Sequence, residues 1–455
     1  MHIHILGICG TFMAGLAILA KQQGHTVTGV DKGVYPPMST QLAEQGIECY
    51  SGYDSQHLEP RPDCVIIGNA LSRGNVEVEA ILNQGIPYTS GAQWLAEHIL
   101  PHYHVLAVAG THGKTTTSSM LAWLLESAGL NPSFLIGGVP ENFGVSARLT
   151  DGNYFVIEAD EYDTAFFDKR AKFVHYHPRT LVINNLEFDH ADIYPDLAAI
   201  QRQFHHLIRT VPSTGQVISD HHEDSVKAVL SQGCWSEQVT MRDKTTWSAQ
   251  AKTPDCAEFD IVYKDTHQGT VNWGLLGEHN MFNALSAVVA AEHIGIKSGD
   301  SCQALASFKN VKRRLELRGS HADIAVYDDF AHHPTAIKTT LAGLRQHVKE
   351  QRIIAILEPR SNTMKMGVHQ QELVDALIEA DQICIYQPEG LTWSLENLIN
   401  QATTQIFTDI QVLINHVIDE VKPNDHVLVM SNGGFENIHQ RLLEGIHTKY
   451  IKIVS

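Results

Sequence analysis

The sequence has little of what marks secreted, membrane-spanning or nucleic-acid-coating proteins. Its seven cysteines are an odd number without C-x-x-C spacing, which indicates neither a disulfide framework nor a zinc cluster; we interpret them as buried free thiols in a reducing cytoplasm. No basic region precedes an apolar stretch at the N-terminus, and no apolar run approaches the ~18 residues that span a bilayer. Only 33 basic residues face 51 acidic ones, a formal net charge of −18. We therefore expect a cytoplasmic protein that binds neither membrane nor nucleic acid, with any phosphate site confined to a local motif.

What the chain does have is enough length and apolar content for several cores. Its 455 residues are about three times the ~150 that one core usually serves. Hydrophobic residues make up 43% and charged residues 18%, which is typical of folded globular chains. We predict three domains in series, at residues 1–103, 104–312 and 313–455.

Short apolar runs alternate with amphipathic stretches, a pattern that predicts parallel sheets covered by helices. The predicted strands are residues 3–6, 26–30, 64–67, 104–109, 154–157, 181–185, 324–327, 352–357, 382–386 and 426–430. The predicted helices are residues 14–23, 76–84, 118–128, 335–348, 368–379 and 436–443. Between residues 220 and 273 alternating residues predict a β appendage with a hairpin turn at residues 267–269. The predicted fold class is α/β: a Rossmann-like domain, a central P-loop ATPase-like domain with a β appendage, and a second Rossmann-like domain.

The sharpest local motif is residues 109–116 (AGTHGKTT), between a predicted strand and a predicted helix. Its glycines allow backbone N–H groups to surround a phosphate at the helix N-terminus, Lys114 supplies a charge for the β- and γ-phosphates, and Thr115 offers a hydroxyl to Mg²⁺. The first glycine of the longer G-x-x-x-x-G-K-T motif would fall at Val108, so this is a shorter form. An ordinary glycine-rich turn is the alternative.

Acidic residues follow the next strand, at residues 158–163 (EADEYD). Alone, such a cluster is more often a solvated loop, but a position one strand after a phosphate loop favours a Mg²⁺ site that begins at Glu158. The following strand ends in residues 184–190 (NNLEFDH), which brings His190 to the same edge as a candidate ligand. A lone histidine there would usually be structural.

The N-terminal residues 7–10 (GICG) follow a strand, and Asp31 ends the next strand 21 residues beyond Gly10, which suggests dinucleotide binding. In the G-x-G-x-x-G register, however, the second and third glycines are Cys9 and Phe12. A mononucleotide-type variant stays open, with Asp31 on a uracil or a ribose.

Three further polar groups are ambiguous on their own. Asn280 and Asn283 lie three residues apart at a predicted helix start, where capping alone would explain Asn280. Residues 313–314 (RR) and 328–334 (DDFAHHP) flank the start of the third block. A solvated basic pair and a strand-end turn are the alternatives.

Taken together, these motifs resemble the Mur ligase family, the ATP-dependent amide-forming enzymes of peptidoglycan assembly. The residues that follow the family's order and approximate spacing are 110–116, Glu158, His190, Asn280, Asn283, Arg314 and Asp329. The resemblance covers the whole chain. Residues 7–13 (GICGTFM) and 110–114 (GTHGK) are similar to members that act on UDP-N-acetylmuramate itself.

Three stretches, residues 31–42, 67–75 and 358–365, resemble the member that attaches a tripeptide during cell-wall recycling. The resemblance implies ligation of L-alanyl-γ-D-glutamyl-meso-diaminopimelate to UDP-N-acetylmuramate through an acyl phosphate made with ATP and Mg²⁺. It implies that the first domain binds the UDP-sugar, the central domain binds ATP, and the C-terminal domain binds the peptide and part of ATP.

The resemblance also assigns site residues. Those implied for ATP are Gly110, Thr111, Gly113, Lys114, Thr115, Thr116, Asn280, Asn283, Arg314 and Asp329. Those implied for the UDP-sugar are Gly7, Gly10, Asp31 and His112. Lys114, Glu158 and His190 would be catalytic, and Thr115, Glu158 and His190 would hold the metal ions.

For the peptide, Arg360 ends a predicted strand and could clamp a carboxylate with Ser361 and Asn362 nearby; a surface arginine is the alternative. One departure concerns the second metal ion, which many Mur ligases bridge with a carbamylated lysine shortly after the histidine ligand. This chain has no lysine between Lys172 and Lys227. The alanine-adding member also lacks that lysine, so the departure affects metal coordination rather than activity.

Three other functions remain open at this point. An L-alanine-adding ligase would differ in residues 358–365. A nicotinamide-dependent dehydrogenase would use residues 7–10 and Asp31 but would leave residues 110–116 without a purpose. A nucleotide-binding scaffold without catalysis is disfavoured by the intact Lys114, Thr115, Glu158 and His190.

Overall fold

Buried apolar strands form three sheets that follow one another along the chain. The structure is a computed structural model, which describes residues 1–34, 38–395 and 404–454. Part of the stretch 31–42, residues 35–37, therefore lies outside the described residues. None of the helices in the described ranges combines the length and the apolar character needed to cross a bilayer.

The first sheet is wholly parallel, with the order β3-β2-β1-β4-β5. Its strands are β1 (His2–Leu6), β2 (Thr26–Asp31), β3 (Glu48–Ser51), β4 (Cys64–Ile67) and β5 (Tyr88–Ser90). Its helices are α1 (Thr11–Gln22), α2 (Met38–Glu44), α3 (Val76–Gln84) and α4 (Gly91–His98). The strand predicted at 64–67 and the helix predicted at 76–84 are confirmed. The strand's apolar residues alternate between two buried clusters, and those of the helix pack into one of them.

The second sheet has ten strands in the order β17-β16-β15-β14-β13-β12-β6-β9-β7-β8. Its strands are β6 (His104–Ala109), β7 (Ser133–Leu135), β8 (Ala147–Arg148), β9 (Tyr154–Ala159), β12 (Thr180–Ile183), β13 (Gln216–Asp220), β14 (Glu237–Met241), β15 (Trp247–Ala251), β16 (Glu258–Tyr263) and β17 (Thr266–Asn272). A separate hairpin pairs β10 (Asp163–Ala165) with β11 (Asp168–Ala171), followed by a 3₁₀ helix, Lys172–His175. Its helices are α5 (Lys114–Ser127), α6 (Leu197–Ile208), α7 (Asp224–Leu230), α8 (Glu278–His293) and α9 (Ser298–Leu305).

The segment predicted as a β appendage is a continuation of this central sheet. β13 and β14 add to it in parallel, and β15, β16 and β17 extend it, with β16 and β17 as an antiparallel hairpin. The predicted hairpin is confirmed, but its predicted turn at 267–269 is wrong. The chain turns at Lys264 and Asp265, both with positive φ (48° and 60°), and residues 267–269 lie within β17.

The third sheet has six strands in the order β18-β19-β23-β20-β21-β22. Its strands are β18 (Glu316–His321), β19 (Ile324–Asp329), β20 (Ile353–Leu357), β21 (Gln382–Tyr386), β22 (Thr404–Phe407) and β23 (His426–Met430). Its helices are α10 (Pro334–Val348), α11 (Asn362–Lys365), α12 (Gln370–Ala376), α13 (Ile410–Glu420) and α14 (Ile438–Val454). Among the described strands of this sheet, the edge strand β18 is the one that is antiparallel to its neighbour. The C-terminal ends of the other strands therefore lie at one edge of the sheet, which is where open α/β sheets bind ligands.

The packing joins the first two units through one apolar core. The largest buried cluster contains Ile3 and Leu16 of the first unit together with Leu135 and Phe155 of the central one. The seven cysteines form no disulfide, and three of them, Cys256, Cys302 and Cys384, are buried while the other four are partly exposed. The interpretation as buried thiols therefore holds for those three alone.

Candidate active site

The phosphate loop leaves β6 and turns through two glycines with positive φ, Gly110 (134°) and Gly113 (79°). At Gly113 a Cβ would lie 2.4 Å from Asn283 Oδ1, so both the backbone angle and the space require glycine. α5 begins at the next residue, Lys114, four residues before the predicted start at 118. No side chain caps this helix N-terminus, which leaves its first N–H groups without a side-chain acceptor.

Two asparagines that follow β12 fix the shape of this loop. The register of β6 with β12 pairs Ala109 with Ile183, so the residues after Ile183 lie beside the loop. Asn185 Oδ1 accepts from His112 N at 2.7 Å, and Asn184 Nδ2 donates to Thr117 Oγ1 at 3.0 Å. The predicted strand 181–185 ends at Ile183 in the structure. Asn184 N still donates to Ala109 O of β6 at 3.0 Å, while the side chains of Asn184 and Asn185 bind the phosphate loop.

Lys114 lies in a buried charge network behind the loop. Its Nζ donates to Gly110 O at 2.8 Å and to Glu161 Oε2 at 2.8 Å, and lies 3.8 Å from Asp160. Burial opposes the charge on Lys114, but Glu161 and Asp160 outweigh it and raise the pKa of the lysine. The lysine is therefore a fixed cation beside the phosphate loop.

His190 belongs to the same network through Glu161. Its Nε2 is 3.2 Å from Glu161 Oε1 and 3.8 Å from Asp189 Oδ2. Burial lowers the pKa of His190, but the hydrogen bond and charge of Glu161 raise it above its usual value. Glu161 thus connects Lys114 and His190 in one network of buried charges.

Glu158 stands at the mouth of the loop because the register of β6 with β9 pairs it with Val108. Its carboxylate accepts from Thr115 Oγ1 at 2.8 Å and from Gly137 N at 2.6 Å. Burial raises the pKa of Glu158, with a further contribution from Asp160, and burial raises the pKa of Asp160 as well. One buried and one partly buried carboxyl group, both of which resist ionisation, form an oxygen-rich position that a divalent cation would stabilise.

The C-terminal unit contributes Arg314 and Asp329. One guanidinium nitrogen of Arg314 donates to Thr115 Oγ1 at 3.2 Å, and the guanidinium lies 5.2 Å from the centre of the Phe330 ring. Asp329 accepts from the backbone N–H groups of Leu315 and Ala331, each at 2.7 Å. Asp329 thereby orders the segment that brings Arg314 to the phosphate loop.

Asn280 and Asn283 lie on one face of α8, as their spacing predicts. Asn283 Oδ1 accepts from Thr117 Oγ1 at 3.2 Å, and its Nδ2 donates to Asn280 Oδ1 at 3.4 Å. Asn280 Nδ2 donates to Leu276 O at 2.8 Å, a bond within the start of the helix. Both side chains are buried, and Asn283 lies beside Gly113 of the phosphate loop.

The N-terminal glycine loop is supported by Asp31. The carboxylate of Asp31 accepts from Cys9 N at 2.9 Å and from Gly33 N at 3.3 Å, and Gly7 has a φ of 78°. Gly10 is the N-cap of α1, again without a side-chain cap. Asp31 thus holds the loop that opens α1; its contact with a uracil or ribose stays a prediction.

His112 lies at the boundary with the C-terminal unit. Its Nε2 is 3.0 Å from Glu187 Oε2, which also accepts from Thr335 Oγ1 at 2.8 Å and lies 3.6 Å from His333 Nδ1. Burial, and then His112, lower the pKa of His333 to about 4. His112, Glu187 and His333 offer three ligand atoms within 4.8 Å of one another, a spacing that also suits a metal ion.

The predicted peptide residues lie on the loop between β20 and α11. Arg360 is half exposed, 4.0 Å from Glu358, with no contact to the phosphate loop. Ser361 caps α11 by accepting from Met364 N, and Asn362 Nδ2 donates to Asp192 Oδ2 at 2.8 Å. The stretch therefore contacts the segment that follows His190.

A cleft of about 770 Å³ joins the three units. The predicted residues that line it are Gly10, Thr111, His112, Gly113, Lys114, Thr115, Thr116, Glu158, His190, Asn280, Asn283, Arg314 and Asp329. The predicted residues outside its lining are Gly7, Asp31, Gly110, Arg360, Ser361 and Asn362.

Several residues of the cleft do not stand out in the sequence. Glu161 is only one member of an acidic run, and Asn184, Asn185 and Glu187 belong only to a strand end. Lys172 stands out in the sequence only as the last lysine before a stretch without lysine, residues 173–226. The position of each run at the C-terminal end of a predicted strand is the available signal, but the choice within a run depends on side-chain contacts.

The fold and the cleft define a Mur ligase. Three family models match in chain order: the Mur ligase family catalytic domain over residues 2–103, the Mur ligase middle domain over 108–291, and the Mur ligase glutamate ligase domain over 313–433. The chain belongs to this family of ATP-dependent, amide-forming ligases, which excludes the dehydrogenase alternative.

Individual members of the family are also similar to this chain. The chain is 55% identical over 452 residues to the UDP-N-acetylmuramate–L-alanyl-γ-D-glutamyl-meso-2,6-diaminoheptandioate ligase of Escherichia coli K12, with 99% of each chain covered. It is similar to the crystal structure of a murein peptide ligase from Psychrobacter arcticus, with a TM-score of 0.77, 47% identity, and 98% and 99% of the two chains covered. A UDP-N-acetylmuramate–L-alanine ligase from Desulfosudis oleivorans is 33% identical, with 84% of this chain and 82% of the relative covered.

Proposed function

We propose that the protein ligates L-alanyl-γ-D-glutamyl-meso-diaminopimelate to UDP-N-acetylmuramate with ATP, in peptidoglycan recycling. The observation that supports it most is the cleft itself. Loops from all three units meet there, with the glycine loop of α1, the phosphate loop of α5 and the Arg314–Asp329 segment on its walls. A ligase must bring an acid, a nucleotide and an amine together in this way. The full-length identity to the Escherichia coli tripeptide ligase supports this substrate set.

The domain roles belong to the proposal. Residues 1–103 would bind the UDP-sugar at the α1 N-terminus, with Gly7, Gly10 and Asp31 as predicted contacts. His112 of the central unit is a further predicted contact of the UDP-sugar. Residues 104–312 would bind ATP, and residues 313–455 would bind the peptide and part of ATP. The protein would act in the cytoplasm on these small molecules, without a nucleic acid or membrane partner.

The donors at the mouth of the phosphate loop fit Mg²⁺. Oxygen ligands are what Mg²⁺ prefers, and Glu158 and Thr115 provide them beside Asp160. Burial is the main cause of the raised pKa of Glu158 and of Asp160, and a divalent cation beside them would favour their ionised forms. When bound, Mg²⁺ would offset charge on the transferring phosphoryl group, with Thr115 and Glu158 holding one ion and His190 a second.

The residues of the chain itself would act on the nucleotide and the intermediate. The N-terminus of α5 and Lys114 would hold the phosphates, while Glu161 keeps Lys114 charged. Arg314 would bind the phosphates from the opposite wall of the cleft, and Asn280 and Asn283 would line the nucleotide side. Attack of the lactyl carboxylate on the γ-phosphate releases ADP; attack of the peptide amine on the acyl phosphate then releases phosphate.

For the peptide, Arg360 is the predicted clamp of a carboxylate, with Ser361 and Asn362 beside it. Its position supports this assignment, because Asn362 and Thr363 connect its loop directly to the segment around His190. An arginine fork pairs with a carboxylate in two parallel hydrogen bonds. The tripeptide has several carboxylates, whereas free L-alanine has one.

The L-alanine-adding ligase is the second candidate, supported by the relative at 33% identity. The two functions are separated by measuring phosphate release from ATP, Mg²⁺ and UDP-N-acetylmuramate with either the tripeptide or L-alanine as amine. Tripeptide-dependent release with a UDP-linked product of the added mass supports the proposal. Release with L-alanine alone contradicts it and assigns the alanine-adding reaction.

A further inference from the structure

Lys172 is a buried lysine in the cleft that the ATP site does not use. It opens the 3₁₀ helix Lys172–His175, where its backbone N–H donates to Tyr162 O at 2.9 Å. Its side chain is 7% exposed and lines the same cleft as Lys114. An ammonium has three donors and a full charge, so burial without an acceptor costs free energy.

The contacts of this ammonium are aromatic rings instead of acceptors. Lys172 Nζ lies 4.8 Å from the centre of the Phe12 ring and 5.3 Å from that of Tyr162. Within the ranges that the structure describes, it makes no hydrogen bond and no ion pair. Burial lowers its pKa although Asp160 and other carboxylates act in the opposite direction. Ring contacts do not occupy the three N–H donors, which remain available to an anion.

The position of Lys172 indicates which anion these donors would bind. Phe12 belongs to the first turn of α1, whose uncapped N-terminus faces the cleft beside the glycine loop. The Tyr162 ring also lies 6.0 Å from Lys114 Nζ. Both ammonium groups therefore lie near the same ring, Lys172 also beside Phe12 of the N-terminal unit and Lys114 at the phosphate loop. A group between them lies on the path from the UDP-sugar to the γ-phosphate.

The geometry points to Lys172 as the residue that binds the carboxylate of UDP-N-acetylmuramate and holds it for attack on the γ-phosphate at Lys114. This inference rests on the proposed function. In the step, a carboxylate oxygen forms a bond to the γ-phosphorus, and the bond from that phosphorus to the β–γ bridging oxygen breaks with its electron pair leaving on ADP. Lys172 stays protonated and reduces the repulsion between two anions that must approach each other.

The diphosphate of the UDP-sugar is the other anion that could reach this lysine. The experiment separates the two by direct binding of UDP-N-acetylmuramate and of UDP-N-acetylglucosamine, which carries the diphosphate but no carboxylate. Titration calorimetry measures both ligands with the full-length protein and with Lys172→Met. Lys172→Gln is a second variant, and Lys172→Arg tests rescue by a retained charge.

Lys172→Met is expected to raise the Kd of UDP-N-acetylmuramate by about tenfold or more, and to change the Kd of UDP-N-acetylglucosamine by less than about twofold. Lys172→Arg is expected to restore part of the loss. Lys169→Met is the matched control, because Lys169 is exposed on the preceding hairpin and pairs with Asp163. It is expected to change neither Kd.

Equal weakening of both ligands would overturn the assignment, since the lysine would then act on the diphosphate or on the shape of the cleft. Unchanged binding of both would overturn it as well. If the unsubstituted protein does not bind UDP-N-acetylmuramate at all, the proposed function fails instead. If Lys172→Met unfolds at a lower temperature than the assay allows, Lys172→Gln decides between the same outcomes.

Discussion

Glu161 is the residue on which the charge balance of the site depends. Its two oxygens engage Lys114 at 2.8 Å and His190 at 3.2 Å. Burial opposes ionisation of this carboxyl, but Lys114 and His190 outweigh burial and lower its pKa to about 2. A buried pair that loses one partner leaves an uncompensated charge. Glu161 therefore fixes the position and the charge of the lysine that would bind ATP.

We predict that Glu161→Gln lowers kcat/KM for ATP by about tenfold or more, because Lys114 loses its nearest counter-charge. Steady-state kinetics and thermal unfolding measure the two effects, and the unfolding temperature is expected to fall. The control is Glu79→Gln, which breaks an exposed pair with Arg73 and is expected to change neither. ATP kinetics that stay the same in Glu161→Gln would contradict the role of the network.

Arg360 is the residue that tests peptide recognition. We predict that Arg360→Ala raises the KM for the tripeptide by about tenfold or more and leaves the KM for ATP nearly unchanged, because one charged hydrogen-bonding fork is lost. Arg360→Lys keeps the charge without the fork and is expected to restore only part of the affinity. Equal effects on both KM values would show that the arginine acts on the fold of its loop instead.

Among the elements, α5 has a glycine with positive φ near each end, and the two glycines differ in how closely other atoms surround them. Its N-terminus follows Gly113, and its C-terminus is followed by Gly129, which also has a positive φ (74°). A Cβ at Gly129 would have no other atom within 4 Å, whereas one at Gly113 would meet Asn283. Both glycines are needed for the backbone conformation, but of the two only Gly113 belongs to the phosphate loop.

We predict that Gly113→Ala and Gly129→Ala each destabilise the protein by about 1 kcal/mol, because alanine is strained at positive φ. Only Gly113→Ala is expected to abolish nucleotide binding, since its methyl group would displace Asn283 or the loop. Calorimetric titration with ADP and thermal unfolding separate the two effects. Loss of ADP affinity in Gly129→Ala to the same extent would show that general destabilisation is the cause.

A histidine pair joins β6, β12 and α8. His104 Nε2 is 2.9 Å from Thr180 Oγ1, which is 2.7 Å from His293 Nδ1. Burial, and then His293 and Arg179, lower the pKa of His104 to about 4, below its usual value of 6.5. The unfolded chain therefore binds a proton more readily than the folded one, and the stabilising contribution is complete above 6.5 and decreases as the pH falls toward 4.

We predict that His104→Gln reduces the pH dependence of thermal unfolding between about pH 7 and pH 5, because the variant has no imidazole to protonate at this position. The unfolding temperature of the unsubstituted protein should fall more steeply over that interval. Parallel curves for the two proteins would show that protonation of His104 is not coupled to unfolding.

Whether a helix or strand could be predicted from the sequence depends on whether its apolar residues are buried in a recognisable pattern. The strands at 64–67, 104–109, 382–386 and 426–430 could be predicted, because each is a short apolar run buried on both faces. β18 and α13 could not, since β18 is a largely exposed edge strand and α13 follows a segment without a clear pattern. The predicted helix at 368–379 is shorter in the structure, Gln370–Ala376.

The same distinction applies to the candidate site. Residues fixed by backbone geometry, such as Gly113, Lys114 and Glu158, follow from motif and strand order. Glu161 and Lys172 do not, because their roles depend on partners that are distant in sequence: His190 for Glu161 and Phe12 for Lys172. Sequence spacing identifies the edge of a sheet, but the contacts there decide which carboxylate or lysine is used.

At the scale of the whole molecule, the cleft depends on contacts between units. Thr335 and Thr363 of the C-terminal unit donate to Glu187 and Asp189 of the central one, each at 2.8 Å. Ser146 of the central unit donates to Gln41 of the first at 3.1 Å. These contacts connect the three units around the cleft, while the predicted peptide residues Arg360, Ser361 and Asn362 lie outside its lining.

The most direct test of this account follows the oxygen atoms of the acid substrate. UDP-N-acetylmuramate labelled with heavy oxygen in both positions of its lactyl carboxylate is turned over with ATP, Mg²⁺ and the tripeptide, and the phosphate and the product are weighed by mass spectrometry. We predict one labelled oxygen in the released phosphate and one in the new amide. Unlabelled phosphate, or a labelled phosphate that forms equally well without the tripeptide, would contradict it.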